Sequence, residues 1–251
     1  MTGTPARADL WARLRGATDA RIGLQRSGGA LSTPVMLALE YAHAQARDAV
    51  HAATPAQALV EALAGLETIV VDSQAGDRPT YLARPDLGRR LAPADRERLP
   101  AGPFDLAIML ADGLSAQAVT ANGPPLVRGL LHSLRGWRTG PIVIARQARV
   151  ALGDEIGERM GAGLALVLIG ERPGLSAADS LGAYLTWSPA VGRTDAERNC
   201  VSNIRAGGLS TAEAAGRIAW LLNSARSLRL TGVGLKDGYR PASVLPSSPS
   251  G

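Results

Sequence analysis

Few side chains in this 251-residue chain could act as nucleophile, proton-transfer base or metal ligand. There are three histidines, His43, His51 and His132, and a single cysteine, Cys200. His43 and His51 lie about 80° apart round a helix that turns 100° per residue, so they do not form the i, i+4 pair that grips a metal. Both read as solvated or packed, and His132, inside the apolar run Leu130 to Leu134, reads as a core or rim residue. Ser115 follows Asp112-Gly113-Leu114 but lacks the Gly-x-Ser-x-Gly elbow of an activated serine, and its place suits a helix N-cap. Arg198 stands two residues before Cys200 and would favour a thiolate, although a lone cysteine among polar neighbours is more often a plain contact residue. No Gly-x-x-x-x-Gly-Lys loop occurs, and the glycines from Gly23 to Gly29 follow no strand, so the dinucleotide fingerprint fails. The residues alone describe a binding domain with no catalytic set and no metal site of its own.

The elements that must position these residues fall into two textures. Up to about Glu67 the pattern is helical. Ala6 to Thr18 is arginine-studded, Ser27-Gly28-Gly29 breaks it, and Thr33-Pro34 supplies an N-cap and a first-turn proline. Val35, Leu39, Ala42, Ala46 and Val50 then share one helical stripe, and Pro55 to Leu66 makes a further helix. From Thr68 short apolar runs alternate with helical stretches. Thr68 to Asp72, Asp105 to Ala111, Pro141 to Ala145 and Leu164 to Ile169 read as strands. Helices are expected from Ala116, over Asp154 to Met160 and over Thr211 to Leu228. This alternation predicts an α/β fold, a Rossmann-like and mainly parallel sheet with helices on both faces, behind a helical N-terminal region. The expected division is residues 1–67, 68–236 as a ligand-binding domain, and a disordered, proline- and serine-rich tail over 237–251. Ligands of such sheets sit beyond the carboxyl ends of the strands. The exits Asp112 to Ser115, Arg146 to Val150 and Gly170 to Gly174 should therefore line one edge.

Composition narrows the class of partner. Hydrophobic residues make up 46% and charged residues 20%, values of an ordinary globular chain. The longest apolar runs fall far short of the ~20 residues that cross a bilayer, and Met1 to Leu10 carries no secretory signal. One cysteine rules out an internal disulfide framework and points to a reducing, cytoplasmic setting. The net charge of +5 is almost all arginine, since Lys236 is the only lysine, and the arginines are scattered. With Phe104 the only phenylalanine and no recognition-helix spacing, nucleic acid is not the expected partner. An anionic ligand or a partner subunit fits better.

Four blocks carry a family resemblance. Tyr81-Leu82-Ala83-Arg84-Pro85-Asp86-Leu87-Gly88-Arg89-Arg90-Leu91 resembles a signature of the small (light) subunit of ethanolamine ammonia-lyase. Asp112-Gly113-Leu114-Ser115, Gly170-Glu171-Arg172-Pro173-Gly174-Leu175 and Arg198-Asn199-Cys200-Val201-Ser202-Asn203-Ile204 resemble three further blocks in the same order. The likeness runs from about Ala8 to about Lys236. It implies an enzyme that converts ethanolamine to acetaldehyde and ammonia with adenosylcobalamin. It also implies a large TIM-barrel subunit that holds substrate and radical, several large–small pairs per hetero-oligomer, and a small subunit that closes over the cobalamin. Val150, Glu171 and Cys200 match the family positions that touch the cofactor, with no catalytic residue and no metal ligand on this chain. The alternative for Glu171 is a local ion pair with Arg172, for Val150 simple core, and for Cys200 an inert buried thiol. The loop from Arg84 to Arg90 would line the cofactor or the partner, or form a self-contained clamp. None of the histidines follows an aspartate at the Asp-x-His spacing, so a bound cobalamin would keep its own lower base on cobalt. A long leader found in some family members has no match ahead of the helical region, so the expected setting is the cytoplasm, with a catabolic microcompartment as the alternative. The competing function is a free-standing nucleotide-binding or regulatory module using the same crevice.

Overall fold

The structure, a computed structural model, describes residues 6–18 and 20–241. A helix α1 (Ala6–Gly16) leads into a small antiparallel hairpin, β1 (Arg26–Ser27) and β2 (Ala30–Leu31), an element absent from the sequence reading. The hairpin turns at Gly28, whose φ of +62° only glycine adopts without strain. Next come α2 (Thr33–His51) and α3 (Ala56–Ala62). The cap of α2 is Ser32 rather than Thr33, and Pro34 sits in its first turn.

The remainder is built on one six-stranded sheet. In chain order its strands are β3 (Thr68–Asp72), β4 (Leu106–Ala111), β5 (Ile142–Arg146), β6 (Leu164–Gly170), β7 (Leu181–Trp187) and β8 (Arg198–Ile204). Their spatial order is β3-β5-β4-β6-β7-β8. The first four are parallel, while β6–β7 and β7–β8 are antiparallel. The antiparallel pair was not expected from the sequence. Polar residues such as Thr186, Arg198 and Asn199 interrupt the apolar run that marks a buried strand.

Alternation along the strands sends side chains to two cores. Leu106, Ile108 and Leu110 of β4 pack with α3, α5 (Ala116–Ser133) and α7 (Thr211–Leu228) on one face. Ala107, Met109 and Ala111 pack with α6 (Leu152–Arg159) on the other. Every residue of β4 and β6 is buried, as expected for strands covered on both sides. Helix α5 runs unbroken through Gly123-Pro124-Pro125, where the sequence had yielded only its two ends. His132, near its C-terminus, is exposed and belongs to no core. Of the expected tail, residues 242–251 lie outside the described residues. Its first residue, Asp237, pairs with Arg217 of α7.

The chain leaves β4 into α5 on one face and leaves β5 into α6 on the opposite face. Neighbouring strands whose exits diverge open a crevice at their carboxyl ends, the usual ligand position in such sheets.

Candidate functional site

The three strand exits meet at Asp112, which is fully buried. Its carboxylate accepts from the Gln147 and Ala148 N–H groups at 2.9 and 3.0 Å and faces the Arg78 guanidinium at 3.6 Å. Burial raises the Asp112 pKa, and these donors oppose the rise. The N–H of Leu114 donates to the Gly170 carbonyl at 2.9 Å, joining the β4 and β6 exits. A Cβ on Gly113 would stand 2.1 Å from that carbonyl oxygen, and Gly113 has φ +55°, so glycine is required twice over. Gln147, with φ +54°, turns the β5 exit sharply and aims Arg149 and Val150 over the sheet edge. Ser115 caps α5 by accepting from the Ala118 N–H and donates to the Ala178 carbonyl, as a cap and not as a nucleophile.

The 81–91 block supports this loop from the side. Tyr81 is buried, its hydroxyl donates to the Ala148 carbonyl, and its ring lies between the guanidiniums of Arg78 and Arg149 at 4.8 and 4.2 Å. Burial pushes the Tyr81 phenol up to about 12, keeping it a neutral donor. Gly88 lets the chain pass so close that its carbonyl accepts from the Arg149 N–H. Arg84 and Asp86 make an exposed two-pronged pair of their own, the self-contained clamp considered from sequence. Glu155 of α6, nearly buried, gathers Arg90, Arg96 and Arg159 at 3.1 to 3.6 Å.

Of the three residues singled out by resemblance, Val150 and Glu171 line one cavity of about 430 Å³ with Tyr81, Leu114 and Tyr184. Val150 is half-buried, its inner side against the α6 core and its outer side in the crevice. Glu171 makes no pair with Arg172. Its Oε2 accepts from the Ser180 hydroxyl at 2.5 Å and the Asn203 N–H at 3.3 Å. Cys200 is exposed on β8, in register with Tyr184 of β7. The residue reaches solvent, but partial desolvation of its thiol beside Tyr184 pushes its pKa up.

Arg198, which by sequence could favour a Cys200 thiolate although a plain contact residue is the preferred reading, is engaged elsewhere. Arg198 is 2% exposed and spends its guanidinium on Asp154, at 2.6 and 2.7 Å, and on the Thr186 hydroxyl. This buried pair ties β8 to the first turn of α6. Removing one partner would strand a charge at a cost of about 3–5 kcal/mol. Arg198 is therefore a strut behind the crevice wall.

Tyr184 is the centre that sequence reading missed. It touches Cys200, lines the cavity of Val150 and Glu171, and also lines a neighbouring cavity of about 660 Å³ with Arg89, Val191 and Asp195. Desolvation drives its phenol well above the ordinary value. The one available signal was the β-prone run Leu181 to Trp187. Arg149 was also missed as a site residue; its Nε is buried with no acceptor. A third cavity, of about 390 Å³, adjoins at Leu114, Arg149 and Arg172 and reaches α2. Together the three form one groove over the strand ends, longer than a mononucleotide needs. Among the described residues no cluster of His, Cys, Asp or Glu could hold a metal, and no helix is long and apolar enough to cross a membrane.

A long groove walled by acceptors and a phenol, over the carboxyl ends of a mainly parallel sheet, defines an α/β domain of the ligand-crevice class. Residues 8–236 match the family model described as "Ethanolamine ammonia-lyase light chain (EutC)". The chain is 51% identical over 244 residues to the ethanolamine ammonia-lyase small subunit of Azotobacter vinelandii, covering 93% of this chain and 90% of the relative. The small subunit of Xanthomonas campestris pv. campestris strain B100 is 49% identical over 93% of this chain and 89% of its own. That of Pseudomonas syringae pv. tomato is 48% identical over 92% of this chain and 84% of its own. The chain belongs to the ethanolamine ammonia-lyase small-subunit family and is a lyase subunit that works as part of a complex.

Proposed function

We propose that this chain holds adenosylcobalamin in the groove and closes it against a large TIM-barrel subunit, in an assembly of several large–small pairs that converts ethanolamine to acetaldehyde and ammonia in the cytoplasm. The observation that carries the reading is the convergence of Val150, Glu171 and, through Tyr184, Cys200 on one groove that contains no reaction centre. Adenosylcobalamin supplies the radical chemistry when bound. This chain binds and orients. Glu171, fixed on one oxygen by Ser180 and Asn203, presents its other oxygen as an acceptor for amide N–H groups, which edge a corrin. Val150 and the Tyr184 ring offer apolar surface for a flat macrocycle. The Arg149 Nε is a buried donor without a hydrogen-bond partner.

The competing nucleotide-module reading is weaker on geometry. A mononucleotide site needs an open helix N-terminus after a strand. Here the start of α5 is closed by the Ser115 side chain and by Gly170. Purified alone, the chain should show no turnover; adding the large subunit and adenosylcobalamin should restore it. Turnover by the isolated chain would overturn the reading.

A further inference from the structure

Glu171 opens the loop between β6 and β7, and Ser180 closes it. Their backbones pair across its base, the Glu171 N–H donating to the Ser180 carbonyl at 2.9 Å. The side chains pair as well, the Ser180 hydroxyl donating to Glu171 Oε2 at 2.5 Å. Ser180 is 5% exposed and is not among the residues lining the 430 Å³ cavity, whereas Glu171 is. Ser180 is itself held from α5. The Ser115 hydroxyl donates to the Ala178 carbonyl at 2.7 Å and the Asn122 amide to the Asp179 carbonyl at 3.0 Å, so the chain reaches Ser180 already fixed.

The ladder of β7 and β8 is irregular at the same point. Leu181 pairs with Ile204 and Ala183 with Val201, so Gly182 alone faces both Ser202 and Asn203. Such a bulge re-aims the groups of its strand. Asn203 takes a φ of +58°, and its N–H donates to Glu171 Oε2 at 3.3 Å. Opposite it, Gly182 leaves room for the same carboxylate. A Cβ there would stand 2.9 Å from Glu171 Oε1 and 3.1 Å from the Tyr184 ring. No hydrogen bond reaches Oε1 among the described residues. Closing the loop needs only the backbone bond. The hydroxyl, the bulge and the missing side chain all act on the direction of one carboxylate.

We propose that Ser180 is a positioning residue, which with the Asn203 amide and the space at Gly182 fixes Glu171 in one rotamer before the ligand arrives and leaves Oε1 free for it. The assignment rests on the cofactor reading above, in which Oε1 accepts from corrin amides. A glutamate side chain that is already immobile loses little freedom on binding, and the saving appears as affinity.

The test uses the complex of this chain with its large subunit, with equilibrium binding of cyanocobalamin followed by visible absorbance and thermal melts reporting folding separately. Ser180→Ala should weaken cyanocobalamin about fivefold, the scale of freezing one long side chain. In a Glu171→Ala background the same substitution should change affinity less than about twofold, because a residue that acts through Glu171 has nothing left to position. Equal losses in both backgrounds would make Ser180 a general structural residue and overturn the assignment. Gly182→Ala crowds Oε1 from the other side and should also weaken cyanocobalamin; wild-type affinity in that variant would count against the assignment independently. If Glu171→Ala weakens binding and Ser180→Ala does not, the positioning role falls while the cofactor reading stands. If Glu171→Ala itself leaves binding unchanged, the contact between Glu171 and the corrin falls, and this role with it.

Discussion

The strand-exit floor of the groove and the N-terminal helical region are held in place by different means. On the floor, Asp112, Tyr81, Glu155 and the Arg198–Asp154 pair are buried and hydrogen-bonded or ion-paired to residues distant in sequence. In α2 only Ala42 and Ala49 are buried, while Leu37 and Tyr41 stand 59% and 66% exposed, joined by Met36 and by Leu10, Trp11 and Leu14 of α1. The floor is finished by this chain alone. The N-terminal region leaves large apolar side chains in water, a surface that the proposed pairing with a large subunit would cover. Local stability follows burial, so the groove joins a rigid wall to a loosely held one at α2.

The sharpest way to break this comparison is amide exchange. Amides of β4 and β6 should exchange only through global unfolding, about 5–15 kcal/mol, and those of α2 through local openings of about 1–3 kcal/mol. Native-state hydrogen exchange on the isolated chain measures both. Equal protection would show that α2 needs no partner, whereas a rise in α2 protection on adding the large subunit would sharpen the contrast.

Next in size is Asp112→Ala. It leaves two buried N–H donors without an acceptor and Arg78 without its carboxylate, and should cost about 3–5 kcal/mol. Denaturant melts of the variant would show this as a lower midpoint. A loss below about 1 kcal/mol would mean that the exits are held by packing.

Glu171→Gln keeps the shape of the side chain, removes its charge and replaces one acceptor with a donor. Cobalamin affinity of the reconstituted complex should fall about tenfold, with turnover at saturating cofactor changed much less. Unaltered affinity in an assembled complex would reduce Glu171 to a brace for Ser180 and Asn203.

The smallest effect lies at Glu197. The Thr194 N–H, then Arg193 and the Thr194 hydroxyl, hold its carboxyl at about 2. Its folded pKa is depressed, so its contribution is present above the ordinary value near 4.5 and is lost as pH falls from there towards 2. Thermal melts of wild type and Glu197→Gln should therefore differ slightly at neutral pH and converge at the acid end of that window. A constant difference across it would contradict the assignment.

Much of the fold was legible because its signals are local. Thr68–Asp72 and Thr211–Leu228 have the observed limits, since a β-branched run and a 3.6-residue stripe each report their own burial. The three exits were legible too, because parallel strands oblige their loops to share an edge. The pairing of β7 with β8 was not. Their polar residues satisfy partners in other elements, as Arg198 does with Asp154 and Thr186 with Arg198, and such pairing leaves no periodicity in the chain.

The sequence by itself determined the α/β class, the three strand-exit loops that share one edge and, through four ordered blocks, the family. Only the tertiary structure decided what those residues do. Asp112 became a brace, Arg198 a strut and Tyr184 a hub, while Arg47, Arg149 and Arg172 were brought to one cavity. Hydrogen bonds and charge neutralisation act between neighbours in space, and residue 47 becomes a neighbour of residue 172 only when α2 lies across the ends of the strands.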